Sequence, residues 1–295
     1  MATHVTNQIA AACFAMAITQ IACARQASEP APAASGGPAA SQTAARPVAP
    51  AAGDPVWHYE GDAGPERWGS LSPQFASCGN GRSQSPIDIA GAAPGATPAL
   101  KLQFPPAELR IVHLEHVADE INNGHTIQVN YEGADTLTLG DVSYQLAQYH
   151  FHDPSEHTVA GKRFPMEMHL VHKSADGRLA VVAVLIEEGQ HNKAFDPVWA
   201  NLPAQKGVET HLPAVKVDVD ALIPTARTTY RYDGSLTTPP CSEGVKWMVM
   251  TTPIQLSTEQ IAAFTRLIKD NSRPVQALNG RTVLTDVVSV RSAGR

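Results

Sequence analysis

The segment 178–188, RLAVVAVLIEE, constrains the fold most. Positions 179–186 are almost continuously apolar and rich in β-branched residues. A run of that length and composition reads as a strand covered on both faces, which puts it at the centre of a sheet. Five more runs are β-branched and partly alternating: 109–116, 125–131, 141–152, 164–173 and 245–251. Gly, Pro and Asn punctuate the chain between them, as turns require. One helix is well signalled: Ser257 with Gln260 three residues later forms a capping box, and Ile261, Phe264 and Ile268 share one face. A shorter helix is expected over 193–201. The stretch from Trp57 to Ser85 reads as irregular, and the chain after Ser272 is poorly patterned. Periodicity therefore predicts a mainly β domain over 54–295 with a few short helices, and no second linker or repeat divides it.

The first 53 residues read differently. Ile9 to Ala24 is apolar and Ala-rich, about the length of a signal-peptide core, and Ala22-Cys23-Ala24 fits a small-x-small cleavage site. The expectation is a signal peptide at 1–24, hence export to the periplasm or beyond. Cys23 is a second option as a lipid anchor, although Gln20 stands where such a signal wants an aliphatic residue. No run is long enough for a membrane span. Residues 25–53 are mostly Ala, Pro, Ser and Gly. They bury too little to offset ordering entropy, so they read as a flexible linker. Of the four cysteines, two fall in the signal segment; Cys78 and Cys241 remain. In an exported domain the pair suggests one disulfide, the alternative being two buried thiols. The net charge of −6, with no Lys/Arg-rich run, excludes nucleic acid as a partner.

The chemistry lies in the histidines. In QYHFH, His150 and His152 are two apart, so on a strand they share a face with Gln148, while Tyr149 and Phe151 take the other. In MEMHLVH, Glu167, His169 and Val171 share a face. If these two strands are neighbours across a hairpin at 153–163, three imidazoles surround one point. Three neutral nitrogen donors leave one corner of a tetrahedral metal open, as in a catalytic zinc site rather than a structural one. Gln148 and Glu167 lie two residues before a ligand, on the same face, placed to fix the ring orientations of His150 and His169. A lone histidine on a strand is usually only a polar side chain. The paired arrangement is far more specific. His58, His113, His116, His172, His191 and His211 read as surface or structural residues.

These motifs, with QSPIDI (84–89), INNGH (121–125), SEHT and SLTTPPCSEGVKW, resemble the α-class carbonic anhydrases, from about Trp57 to Arg281. The resemblance implies a large, twisted, mostly antiparallel sheet with Zn2+ held by His150, His152 and His169 at the base of a cleft. It implies hydration of carbon dioxide to bicarbonate through zinc-bound hydroxide, oriented by Thr237 and Glu156. Val171, Val181, Leu236, Thr238 and Trp247 match the substrate wall, and His125 matches the proton shuttle. Tyr59, Asn123 and Gln128 match residues near the shuttle's water network. His157 becomes scaffold near Tyr232 and Glu167. Cys78 and Cys241 fit the single disulfide of exported bacterial members, which are often homodimers. Two alternatives compete. A non-catalytic binding module on this fold would lose ligand histidines, and none is missing here. A different zinc esterase or hydrolase would bring its own base, as in an HExxH helix, and the sequence has none.

Overall fold

The computed structural model describes residues 55–98, 100–114 and 125–286, with 43–47 as backbone. The expected signal segment 1–24, with Cys23, and also His116 and Asn123 lie outside the described residues. In chain order the strands are β1 (Thr43–Pro47), β2 (Asp88–Ile89), β3 (Ala93–Gly95), β4 (Leu100–Gln103), β5 (Ala107–His113) and β6 (Ile127–Asn130). There follow β7 (Thr136–Leu139), β8 (Val142–His152), β9 (Thr158–Val159), β10 (Lys162–Arg163), β11 (Met166–Ser174) and β12 (Leu179–Glu188). The last five are β13 (Val208–Val217), β14 (Thr229–Ser235), β15 (Glu243–Met250), β16 (Ile254–Leu256) and β17 (Leu284–Asp286). Fourteen of these form one sheet in the order β1-β13-β5-β6-β8-β11-β12-β15-β14-β17-β3, with β16 beside β12, β7 also beside β8, and β4 beside β7. The pairing is mainly antiparallel; β12 runs parallel to β15 and β16, and β17 parallel to β3.

The apolar run behaves as its composition demands. β12 is central, between β11 and β15. Ala180, Val182, Val184 and Ile186 enter the larger core cluster, while Val181, Ala183 and Leu185 enter a second one on the other side. The period of two thus sends apolar groups to both faces, each large aliphatic contributing about 1.5–3 kcal/mol of burial. β8 divides its faces differently. Tyr149 and Phe151 join the larger cluster, where Phe151 meets Phe195, Trp199 and Phe264. The opposite face carries Gln148, His150 and His152.

The helix Thr258–Thr265 has the expected capping box, with Ser257 and Gln260 satisfying each other's backbone N–H groups. Phe264 and Ile268 are buried, and Ile261 packs partly against the core. The 193–201 helix is a single turn of 3-10 helix, Lys193–Phe195, running into Asp196–Trp199. Several features differ from the sequence expectation. The stretch 57–85 is a chain of short helical turns around a cluster of Trp57, Trp68, Phe75 and the Cys78–Cys241 disulfide. β13 carries Pro213 and a register break between Leu212 and Lys216, and β14 carries Asp233 and Gly234. Both patterns obscure a period of two. The 153–163 connection holds the β9–β10 hairpin, and β2 pairs with β9 to make a second, small sheet. Within the stretch expected as linker, β1 lies antiparallel to β13 at the sheet edge. Backbone pairing needs no apolar side chain, so composition could not show it.

Candidate metal centre and active site

β8 and β11 are antiparallel neighbours, with His150 directly opposite His169 and Glu167 opposite His152. The three rings converge. His152 Nε2 lies 3.1 Å from His150 Nε2 and 3.1 Å from His169 Nδ1, and all three residues are buried. The outward nitrogens are anchored: His150 Nδ1 lies 2.8 Å from Gln148 Oε1, His152 Nδ1 2.7 Å from the Asn271 carbonyl, and His169 Nε2 2.8 Å from Glu167 Oε1. Each of these oxygens accepts, so each outward nitrogen donates its N–H. The inward nitrogens of the neutral rings are then lone pairs facing one another with no proton between them. Burial, with the neighbouring His152 and His169, pushes the His150 pKa well below its ordinary value, and burial lowers that of His152.

Glu156 sharpens the point. Its Oε1 accepts from the Arg273 main-chain N–H at 2.8 Å, whereas Oε2 is buried with no hydrogen-bond partner. That oxygen stands 3.6 Å from His152 Nε2 and 3.9 Å from His169 Nδ1. Three lone pairs and an orphaned carboxylate oxygen repel one another, and a cation between the nitrogens resolves this. Tetrahedral zinc with about 2.0–2.1 Å bonds sets its nitrogen ligands about 3.3 Å apart, close to the spacing seen. The donor set therefore fits Zn2+.

The expected partners Gln148 and Glu167 are in place. The third anchor, Asn271 O, was missed because it comes from a loop 119 residues downstream of His152. Asn271 is itself pinned: its Nδ2 donates to the carbonyls of His125 and Phe151, and its Oδ1 accepts from Asp153 N. Glu167 Oε1 also meets His157 Nδ1 at 2.7 Å, and Oε2 accepts the main-chain N–H groups of Glu156 and His157. Burial alone would raise its carboxyl pKa, but the charge on His157 and the hydrogen bonds from His157 and His169 win and hold it well below the ordinary value. His157 Nε2 lies 2.7 Å from the Tyr232 hydroxyl, so both nitrogens are engaged away from the three-ring centre.

The remaining residues group as follows. Val171 pairs with Val181 across β11 and β12, Val181 with Trp247 across β12 and β15, and all three join Leu236 in one apolar cluster. The Trp247 ring is 4.9 Å from the rings of both His157 and His169. Thr237 and Thr238 are buried just after β14, and the Thr238 carbonyl accepts from Cys241 N, so the disulfide braces this turn. Thr237 makes no hydrogen bond to Glu156 here. His125 is half-buried, its Nε2 2.9 Å from the Trp57 carbonyl and its ring edge-on to Trp57 and Tyr59. Burial first and the Glu156 charge second raise the Tyr59 pKa well above normal, against Arg273, so its hydroxyl stays protonated. Gln128 lies opposite His150 on β6 and donates to Asn130 Oδ1 at 2.7 Å.

Three convergent histidines on adjacent antiparallel strands, beside an apolar wall and a buried carboxylate, form a group that could hold one metal ion. Comparison with known proteins makes it specific. The eukaryotic-type carbonic anhydrase family model matches residues 63–287. A carbonic anhydrase of Klebsiella pneumoniae is 45% identical over 231 residues, which cover 77% of this chain and 90% of that one. The solved α-carbonic anhydrase of Thermovibrio ammonificans, in complex with the inhibitor sulfanilamide, matches with a TM-score of 0.73 and 40% identity, over 79% of this chain and 100% of that one. Dioscorin DB3L of Dioscorea polystachya is 36% identical over 233 residues, 75% of this chain and 81% of its own. The chain belongs to the α-type carbonic anhydrase family, a family of carbonate dehydratases.

Proposed function

We propose that this chain is an exported, zinc-dependent carbonic anhydrase that interconverts carbon dioxide and bicarbonate. The observation that carries the reading is the convergence of His150, His152 and His169 with every outward nitrogen anchored. Zinc bound there supplies Lewis acidity, which makes water a usable nucleophile near neutral pH, carbonic anhydrases being the reference case. The chain's residues supply the rest. Val171, Val181, Leu236 and Trp247 form an apolar wall suited to a small neutral substrate. A carboxylate oxygen only accepts, so in the metal-loaded site Glu156 receives the Thr237 hydroxyl, a contact not made in this structure. Thr237 then accepts from the attacking oxygen and orients it. Glu156 Oε2, with no partner of its own, is the acceptor this role needs. His125 takes the proton released in each turnover, because imidazole titrates near neutrality.

The test is stopped-flow carbon dioxide hydration before and after chelation and zinc restoration. Activity that tracks zinc is expected; a rate indifferent to the metal defeats the proposal. Export is supported by the Cys78–Cys241 disulfide, a bond favoured in oxidising compartments. Among the described residues no helix is long and apolar enough to cross a membrane.

A further inference from the structure

We propose that Asp135 is a positioning residue for the metal centre: its carboxylate holds a β-bulge at Ala147 that turns Gln148, His150 and His152 away from the core. The inference rests on the reading of His150, His152 and His169 as metal ligands. A strict period of two would put Tyr144, Leu146, Gln148, His150 and His152 on one face of β8. They do not share one. Tyr144 and Leu146 lie in the larger core cluster together with Tyr149 and Phe151, while Gln148 and His150 meet on the other face. Leu146 and Tyr149 are three residues apart and yet on the same side, which one extra residue in the strand explains. The pairing locates it. On β11, Val171 faces Gln148 and the next residue, His172, faces Leu146, so Ala147 has no opposite number. Without that residue the three polar side chains would fall on the face of Leu146, and Tyr149 and Phe151 would enter the centre.

The bulge sits where β8 changes its other neighbour. β6 covers it as far as Asn130 opposite Gln148, and β7 takes over with Leu137 opposite Tyr144. Leu146 and Ala147 lie in the gap. The Ala147 carbonyl accepts from Tyr131 N at 3.0 Å. The Leu146 N–H donates to Asp135 Oδ2, a side chain from the β6–β7 connection standing where a strand carbonyl would be. A buried main-chain N–H needs such a partner, and Leu146 is buried. Asp135 is buried as well, and burial raises its pKa against the Leu146 bond. Burying a carboxyl group is costly, so packing alone does not account for this side chain. Its influence reaches the centre along the main chain: Ala147 immediately precedes Gln148, whose Oε1 fixes His150 Nδ1.

The test uses the full chain as parent, Asp135→Ala, Asp135→Asn and, as a control for simple loss of stability, Ser257→Ala. Zinc affinity is read by competition with a chelator. Asp135→Ala should weaken binding about 10-fold, because the bulge loses the acceptor that holds it. Asp135→Asn keeps an acceptor oxygen in the same place and should bind zinc as the parent does, as should Ser257→Ala. A second readout does not depend on affinity. With Co2+ in place of zinc, visible absorption reports the geometry of the ligands. It should change in Asp135→Ala and not in Asp135→Asn. Parent affinity and spectrum in Asp135→Ala overturn the proposal, and so does an Asp135→Asn protein as weak as Asp135→Ala. A parent that binds no zinc defeats the metal reading itself and takes this inference with it. Should Asp135→Ala fail to fold, Asp135→Ser carries the same comparison, its hydroxyl ending one bond short of the carboxylate oxygen.

Discussion

At the scale of single residues, the centre is held by acceptors that leave each histidine one way to point. Gln148 and Glu167 act through side chains, whereas the third anchor is a main-chain carbonyl. Gln148→Ala or Glu167→Ala is expected to weaken zinc binding by about 10- to 100-fold, read by competition with a chelator. No substitution removes the Asn271 carbonyl, but Asn271→Ala cuts its side-chain bonds to His125, Phe151 and Asp153. It should therefore also weaken zinc binding and raise the chelator-driven loss rate. Unaltered affinity in Asn271→Ala would show that the loop holds its shape without those bonds.

Among the elements, the helix Thr258–Thr265 is the clearest case of local sequence setting local structure. Ser257 and Gln260 close its first turn, and Phe264 seats it on Phe151. Ser257→Ala should cost about 1 kcal/mol in urea unfolding with an unchanged m-value, and leave zinc affinity as it was. β8 and β11 hold His150, His152 and His169 in place because their other faces are anchored in the core. Tyr149, Phe151, Met168 and Leu170 are all fully buried. A one-residue slip would send the histidines into that core, which is why the register is fixed.

For the whole molecule, two terms dominate stability predictions. The Cys78–Cys241 bridge closes a separation of 163 residues. The chain-entropy model values such a closure at about 5 kcal/mol, so a strong reductant should lower the melting temperature markedly. An unchanged melt in reductant would sink that expectation. The second term is acid sensitivity. Burial pushes the His172 pKa down to about 4, against main-chain hydrogen bonds at Leu170 and Ala180. Unfolded, the ring titrates near its ordinary value of about 6.5. Between those values the unfolded chain binds more protons, so stability is lost as pH falls from about 6.5 to about 4, by up to about 3 kcal/mol from this group. His172→Leu should flatten that limb of the stability-pH curve; an equal slope in the variant would assign it elsewhere.

The sequence by itself determined the elements with strong local codes. The 179–186 run read as a strand covered on both sides, Ser257 and Gln260 signalled a helix start, and the spacing of His150 and His152 put two imidazoles on one face. Gln148 and Glu167 were legible for the same reason, each being two residues from one of those histidines or from His169 on a strand. What only the tertiary structure decided depends on contacts between distant segments. The Asn271 carbonyl reaches His152 across 119 residues, the Arg273 N–H reaches Glu156 across 117, and His58 meets His125 from a different part of the chain. Strands β13 and β14 belong with these, since their patterns are broken and pairing partners define them. Local periodicity records which face a side chain takes. It does not record what the chain brings opposite that face, and the chemistry of the centre is made there.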